Sequence, residues 1–106
     1  MGIFDFLRKK NIDQWLKDYK TTSGACLLDV RNLQEYQEGH IPESKNIPVQ
    51  QIDKVASVVN NKDTPLYVYC HSGIRSGRAA SALKNMGYTS VVNIGGIISY
   101  SGKVER

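Results

Sequence analysis

The chain has 106 residues, of which 41% are hydrophobic and 23% charged, and its formal net charge is +4. This composition is that of an ordinary soluble domain and excludes intrinsic disorder, collagen-like repeats and a long coiled coil. No apolar run approaches the roughly 20 residues that a membrane-spanning helix requires, so we expect no membrane partner. We expect residues 1–106 to form a single domain.

The charge pattern and the cysteine content narrow the partners and the compartment. The basic residues are interspersed, with residues 8–10 as the longest run, which argues against a nucleic-acid partner. A modest basic excess suits an enzyme that draws small anions into a cleft. The opening segment, residues 1–7, lacks the pattern of a signal peptide. With two cysteines and no export signal, the sequence predicts a cytoplasmic protein without a structural disulfide.

The first predicted elements are a helix and a buried strand. Asn11 and Gln14 form a capping box for a helix over residues 12–19, whose apolar side chains share one face. Residues 25–30 are a short, nearly continuous apolar run, the pattern of a strand buried on both sides.

A second capping box follows directly after this strand. Asn32 and Glu35 open a short helix that Gly39 can end. A turn-rich segment then leads to a short strand over residues 45–47.

The second half of the chain repeats the alternation. Apolar residues at helical spacing predict a helix over residues 49–59, and residues 66–69 predict a strand. Small residues from Ser76 onward predict a helix that Gly87 ends, and residues 91–94 predict the last strand.

Strands that alternate with helices through short connections imply an α/β fold with parallel strands and helices on both faces of the sheet. In such sheets, ligands bind beyond the carboxyl ends of the strands. Polar clusters follow the predicted strands at that edge: residues 29–31, Cys70 with the loop after it, and residues 93–96. These clusters are the candidate functional site.

The most informative segment runs from Tyr69 to Gly77, where a cysteine ends a buried strand, a glycine-containing loop follows and a helix begins. Backbone N–H groups in such a loop and at the helix start favour an anion at the centre of the loop. The thiolate of Cys70 is itself an anion, so this placement predicts a nucleophile with a lowered pKa. The alternative is a buried cysteine that packs as a small hydrophobic residue.

Together with three other segments, the cysteine segment resembles a single-domain rhodanese, a sulfurtransferase. The similarity extends from about Ala25 to Tyr100. The segments that carry it, in chain order, are residues 28–31 with 35–36, residues 38–42 with 46–48, residues 68–76 and residues 93–97. Each segment alone is a weak signal, but all four in this order are a strong one.

The resemblance implies a rhodanese-like fold with a mostly parallel, five-stranded sheet. It also implies a two-step reaction that needs no cofactor and no metal. Cys70 would take a sulfur atom from a small anionic donor such as thiosulfate, and the resulting persulfide would pass it to cyanide or a thiol. Arg75 would hold the anionic end of the donor. The substrate-binding residues would be His71, Ser72, Gly73, Ile74, Arg75 and Ser76.

The length of the loop separates this chemistry from its nearest competitor. Tyrosine phosphatases and some arsenate reductases place five residues between cysteine and arginine, whereas here only residues 71–74 lie between Cys70 and Arg75. A tighter ring suits one sulfur atom better than a phosphoryl group. Besides phosphatase or arsenate chemistry, a non-enzymatic relay or binding module that takes sulfur from a partner protein remains an alternative.

Four further residues have competing interpretations. Arg31 is a candidate substrate-binding residue and Asp29 a supporting one, although the two could equally form a structural ion pair. We expect His40 to fix the turn in which it lies rather than to activate the thiol. Cys26, in mid-strand, is expected to pack in the core, with a resolving thiol as the alternative.

Overall fold

A computed structural model describes residues 10–106, so the interpretation of residues 1–7 lies outside the described residues. In chain order the elements are α1 (Ile12–Lys20), β1 (Cys26–Asp29), α2 (Leu33–Glu38), β2 (Lys45–Asn46), a 3₁₀ helix (Val49–Lys54), α3 (Val55–Val58), β3 (Leu66–Cys70), α4 (Ile74–Asn85), β4 (Val91–Gly96) and a final 3₁₀ turn (Ile97–Ser99). The strands are all parallel and lie in the order β2-β1-β3-β4.

The parallel α/β architecture is confirmed, but the strand count is not. The sheet within residues 10–106 has four strands rather than the five expected. A 3₁₀ turn follows directly after β4. Beyond it, the β-pairing of the C-terminal tail within residues 10–106 is an isolated bridge between His40 and Glu105. That bridge is antiparallel and stands apart from the named strands, so it adds no fifth strand.

Both predicted capping boxes are present. Asn11 accepts a hydrogen bond from the Gln14 N–H at 2.9 Å, and the Gln14 side chain accepts one from the Asn11 N–H. Asn32 and Glu35 make the same reciprocal pair at the start of α2. Because each box satisfies N–H groups that a helix leaves without partners, both helices begin where the sequence predicts.

The helix predicted over residues 49–59 is divided. A 3₁₀ segment, kinked where Gln51 leaves helical geometry, precedes the single α-helical turn of α3. No residue in the described part of the chain belongs to a helix long and apolar enough to cross a membrane.

Side chains alternate along β1 and β3, and each face of the sheet has its own buried cluster. One face packs against α3 and α4, and it includes Cys26 and Cys70. The other face packs against α1 and includes Leu27, Tyr67 and Tyr69. Burial on both faces explains why these strands read as continuous apolar runs.

The carboxyl edge of the sheet contains an irregularity beside the cysteine. Val68 of β3 is level with Asn93 of β4, but the next residue, Tyr69, is level with Gly95. Ile94 is therefore an extra residue in β4, that is, a β-bulge. The bulge brings the glycine pair of β4 alongside the end of β3, where Cys70 is level with Gly96.

Candidate active site

The cysteine loop, residues 70–76, joins the end of β3 to the first turn of α4. Cys70 is the last residue of β3 and is only 1% exposed. Gly73 has a φ of +101°, in the left-handed region that favours glycine, and α4 begins immediately after it. Because α4 starts two residues earlier than predicted, Arg75 and Ser76 lie in its first turn, where N–H groups have no partner within the helix.

Hydrogen-bond donors converge on the sulfur of Cys70. The Gly73 N–H donates to Sγ at 3.0 Å, and the Ser76 hydroxyl lies 3.3 Å from it. Burial by itself would raise the pKa of the Cys70 thiol. Hydrogen bonds from the Ser76 hydroxyl and from the N–H groups of Ser76, Gly73 and Ser72 outweigh burial and hold that pKa below its ordinary value. These donors favour the thiolate form of Cys70 over the thiol.

The loop rests directly on the backbone of β4. A Cβ atom added to Gly96 would lie 2.1 Å from the carbonyl oxygen of His71 and 2.5 Å from Cα of Ser72. The Ile98 N–H also donates to the His71 carbonyl, at 3.2 Å. The side chains of His71 and Ser72 are exposed, so these two residues form the outer rim of the loop.

Asn93 fastens the loop to β4 from the side, and sequence reasoning gave this residue no role. Its Nδ2 donates to the Gly73 carbonyl at 3.0 Å. Its Oδ1 accepts from the Ser76 hydroxyl at 2.7 Å and from the Gly95 N–H at 3.0 Å. The available signal was a polar side chain directly before the bulge and the glycine pair, within one of the polar clusters predicted at this edge.

Arg75 forms an ion pair that the sequence did not reveal. Its guanidinium donates to both carboxylate oxygens of Glu35 in α2, at 2.7 and 2.9 Å. The hydrogen bond from Arg75, with a further one from the Asn32 N–H, lowers the pKa of Glu35 to about 2 against the opposing effect of burial. Both side chains are about one-third exposed, at 32% and 27%. The guanidinium of Arg75 thus lies at the partly exposed edge of the cysteine loop, and the carboxylate of Glu35 balances its charge.

Arg31 does not join the cysteine loop. It forms a buried ion pair with Asp29, with a shortest distance of 2.6 Å, and also donates to the Gly39 carbonyl at 2.7 Å. Asp29 is 0% exposed and Arg31 5%. These contacts favour the structural ion pair, which ties the end of β1 to the end of α2, over contact with a substrate.

His40 and Cys26 have surroundings consistent with the framework roles predicted for them. The His40 Nδ1 lies 2.8 Å from the Tyr36 carbonyl, and the two rings stack with centroids 3.7 Å apart. Cys26 packs in the buried cluster on the α4 side of the sheet. Burial raises the pKa of its thiol, and Lys45 opposes only part of that rise.

A cleft of about 450 Å³ runs beside the loop, between the start of α1 and the end of β4. It touches the loop backbone at Ser72, Gly73 and Ile74, and Trp15 lines its opposite wall. The cleft gives a small molecule or a peptide access to the outer face of the loop.

Comparison with known proteins identifies the fold family that this chain resembles. The family model described as Rhodanese-like domain matches residues 11–103. The chain is 39% identical over 71 residues to the thiosulfate sulfurtransferase PspE of Escherichia coli, covering 66% of this chain and 68% of that protein. It is 40% identical over 80 residues to the candidate sulfur carrier YrkF of Bacillus subtilis, covering 74% of this chain and 43% of that protein.

Solved structures agree with the sequence comparison. A rhodanese with anions from E. coli superposes with a TM-score of 0.73 at 34% identity, covering 77% of this chain and 98% of that one. Other relatives carry a different name: the tRNA uridine(34) hydroxylase of E. coli is 31% identical over 111 residues, but the match covers only 31% of that protein. The chain spans 43% of the length of YrkF and 64% of that of YqhL, a B. subtilis protein to which it is 39% identical over 82 residues.

Proposed function

The chain belongs to the rhodanese-like domain family, and we propose that it is a sulfurtransferase that carries sulfur as a persulfide on Cys70. The proposal rests on the hydrogen bonds to Sγ of Cys70. This sulfur accepts one from the Gly73 N–H and lies 3.3 Å from the Ser76 hydroxyl. These donors stabilise negative charge on sulfur in a site from which water is largely excluded. A catalytic thiolate needs this environment, whereas a packing cysteine does not.

In the first step, the Cys70 thiolate attacks the outer sulfur of a donor such as thiosulfate. The sulfur–sulfur bond of the donor breaks, and sulfite leaves with the electron pair. The product is the Cys70 persulfide anion, whose charge is held by the N–H groups of the cysteine loop. The loop is small, with residues 71–74 between Cys70 and Arg75, and this size suits a single added sulfur atom.

In the second step, an acceptor attacks the outer sulfur of the persulfide, and the Cys70 thiolate leaves. Cyanide becomes thiocyanate, and a thiolate acceptor becomes a persulfide. Sulfur moves as a neutral atom in both steps, so no external oxidant, reductant or cofactor enters the balance. Both thiols of the chain are free, which suits the reducing cytoplasm that we propose as its compartment.

A protein-to-protein sulfur relay is the second candidate function, and the Arg75–Glu35 pair favours it. A guanidinium whose charge is balanced by Glu35 holds a dianion such as thiosulfate less firmly than a free one would. A protein persulfide donor does not need that contact. The similarity to YrkF, which is named as a sulfur carrier, points in the same direction.

The proposal is tested by measuring the intact mass of the protein under non-reducing conditions before and after incubation with thiosulfate. We expect a gain of one sulfur atom, followed by its release as thiocyanate when cyanide is added. The control is Cys70→Ser, which keeps Cys26 and therefore reports loading at the other thiol. Phosphate esters, as phosphatase substrates, and arsenate, as the substrate of an arsenate reductase, serve as a further arm, on which we expect no turnover.

The proposal can be contradicted by the loading of the wild-type protein or by that of Cys70→Ser. A folded protein that gains no sulfur from thiosulfate or polysulfide contradicts an enzyme that uses small donors. Loading from a persulfidated protein under the same conditions then establishes the relay. Loading that persists in Cys70→Ser contradicts both functions as assigned to this residue.

A further inference from the structure

The hydroxyl of Ser76 has one proton and three acceptors within reach, of which the Gly95 carbonyl, at 3.5 Å, is the most distant. Its Oγ lies 2.7 Å from Oδ1 of Asn93 and 3.3 Å from Sγ of Cys70. Ser76 is 0% exposed, so its hydroxyl cannot donate to solvent water instead. The hydroxyl therefore donates to one of these acceptors at a time, and the shortest distance favours Asn93 over Cys70.

Asn93 acts on the second donor of the thiol as well. Its Nδ2 donates to the carbonyl of Gly73, and the N–H of the same glycine donates to Sγ of Cys70. Gly73 lacks a Cβ atom, so its backbone tolerates several orientations. Two contacts hold its carbonyl, one from Nδ2 of Asn93 and one from the Gly77 N–H at 3.1 Å. Asn93 thus contacts two of the residues that donate to the sulfur, Ser76 and Gly73, without contacting the sulfur itself.

We propose that Asn93 is a positioning residue that controls the donors of Cys70: its amide holds the Gly73 N–H towards the sulfur, and its carbonyl holds the Ser76 proton until a thiolate takes it. The importance of this arrangement for sulfur transfer rests on the function proposed above. Its effect on the thiol itself does not.

The states of the sulfur would then be coupled to rotation of one hydroxyl. When Cys70 is a thiol, Ser76 donates to Asn93. When the thiol loses its proton to solvent, Ser76 rotates towards Sγ, and Oδ1 of Asn93 keeps the hydrogen bond from the Gly95 N–H. In the persulfide the negative charge moves to the outer sulfur, and Ser76 returns to Asn93. No bond to hydrogen breaks at Ser76 or Asn93.

Among the described residues, the two guanidinium groups nearest the loop are paired, which leaves the uncharged hydroxyl of Ser76, held by Asn93, as the adjustable contact of the sulfur. The guanidinium of Arg75 is held by Glu35, and that of Arg31 by Asp29. His71 is exposed on the outer rim of the loop.

The experiment is a double-mutant cycle on the pKa of Cys70. Wild type, Asn93→Ala, Ser76→Ala and the double variant are titrated by thiolate absorbance at about 240 nm, and the same titration of each protein with Cys70→Ser is subtracted. The readings stop near pH 9, before the tyrosines ionise, since their ordinary pKa is about 10. No sulfur donor is present, so a failure of sulfur transfer cannot affect the result.

The proposal fixes the signs and the coupling. With Ser76→Ala already present, Asn93→Ala removes the hold on Gly73 and the hydrogen bond from the Gly95 N–H. We expect the pKa of Cys70 to rise by about one unit, a tenfold fall in its acid dissociation constant. In the wild-type background the freed Ser76 hydroxyl offsets part of this rise, so the increase is smaller. Equal shifts in both backgrounds, a larger rise in the wild-type background, or no shift in either would overturn the proposal.

Asn46 provides the matched control. Its Nδ2 also donates to backbone carbonyls, those of Asp29 and Arg31 at 3.0 and 2.9 Å, but at the far edge of the sheet. We expect Asn46→Ala to lower the melting temperature without moving the pKa of Cys70. If Asn93→Ala does not fold, Asn93→Ser replaces it, since a serine side chain is too short to span the same contacts. A shift with Asn46→Ala as large as that with Asn93→Ala would reduce the role of Asn93 to general stability and overturn the proposal.

Discussion

The two cysteines of this chain lie in the same buried cluster, yet their thiols differ in ionisation. Burial raises the pKa of Cys26, and Lys45 opposes only part of that effect. Burial acts in the same direction on Cys70, but the donors of the cysteine loop reverse it and lower the pKa. The comparison shows that burial alone does not decide the direction in which the thiol pKa moves. For Cys70 the direction is set by the hydrogen-bond donors around the sulfur, the Ser76 hydroxyl and the N–H groups of the loop.

The difference follows from where each cysteine lies in its strand. Cys26 begins β1, and its backbone N–H is used in a hydrogen bond to the Pro65 carbonyl at 2.9 Å. The residues after it continue the strand and use their N–H groups in the sheet. Cys70 ends β3, and the residues after it form a loop and a helix start, whose N–H groups are free to face the sulfur.

Among the substitutions that should make Cys70 more like Cys26, Gly96→Ala is expected to have the largest effect. The added Cβ would overlap backbone atoms of His71 and Ser72, so the cysteine loop would have to move away from β4. A shift of about 1 Å at a catalytic group costs on the order of 100-fold in rate. We expect sulfur transfer, measured as thiocyanate release, to fall at least that far and the pKa of Cys70 to rise towards that of Cys26.

Gly24→Ala is the matched control for this prediction. Gly24 also has a positive φ, of +74°, but no atom lies within 4 Å of an added Cβ. Only backbone strain of about 1–2 kcal/mol should result, with sulfur transfer unchanged. Full activity in a folded Gly96→Ala protein would show that the loop does not depend on its contact with β4.

A second prediction sharpens the comparison through pH. Thiolates react with iodoacetamide and thiols do not, so each residue is alkylated in proportion to its ionised fraction. For Cys70 the midpoint of the alkylation rate should lie below the ordinary thiol pKa of 9.0, and for Cys26 above it. At neutral pH, peptide mass spectrometry should find Cys70 modified first, and raising the pH should narrow the difference.

Denaturant supplies the control for the alkylation experiment. The two cysteines should react at similar rates once the chain is unfolded, because the unfolded chain has neither burial nor the loop. Preferential alkylation of Cys26 in the folded protein would contradict the assignment of Cys70 as the activated thiol.

The sequence predicted the cysteine loop well because its signals are local. The cysteine, the glycine and the start of the helix lie within a few residues, and both capping boxes are patterns four residues long. The contacts that set the properties of the loop are not local. Glu35 is 40 residues from Arg75, and Asn93 is 17 residues from Ser76. No spacing rule marks such pairs, so only the fold brings them to light.

The incorrect and incomplete predictions have physical reasons too. Apolar spacing between residues 49 and 59 fits both an α-helix and a 3₁₀ helix, so periodicity did not show the kink at Gln51. The start of α4 was placed at Ser76, whereas the left-handed turn at Gly73 lets the helix begin at Ile74. The role of Arg31 stayed open because two neighbouring charges suit either a substrate or each other, and the structure shows the ion pair.

A smaller effect is expected from Glu35→Gln, which tests whether the charge at the mouth of the loop distinguishes small donors. Removing the carboxylate leaves the Arg75 guanidinium unbalanced and available to an anion. We expect the KM for thiosulfate to fall by up to about fivefold, the upper limit for a partly exposed ion pair, with little change in kcat. The control is Glu38→Gln on the same helix, which should leave KM unchanged.

The sign of the pH dependence follows from the lowered pKa of Glu35. A carboxyl whose pKa is depressed to about 2 when folded contributes stability that is present above its unfolded pKa of about 4.3 and is lost as the pH falls through about 2. The difference in stability between wild type and Glu35→Gln should therefore be constant from pH 5 upward and shrink in acid.

For the KM prediction, the contradicting outcome is a KM for thiosulfate that rises in Glu35→Gln. It would show that Glu35 positions Arg75 for the donor.

The smallest effect is expected from Cys26→Ala, which asks whether the second thiol takes part at all. Cys26 is level with Leu66 of β3, and Cys70 lies four residues further along that strand, so the two are separated by about 13 Å at 3.3 Å per residue. A disulfide requires Cα atoms within about 7 Å, so Cys26 cannot accept sulfur from Cys70 in this fold. We expect a loss of about 1 kcal/mol in the free energy of unfolding from the vacated core volume. Sulfur loading and thiocyanate release should stay at wild-type values, and a folded Cys26→Ala protein with slower turnover would mean that the strands separate during the reaction.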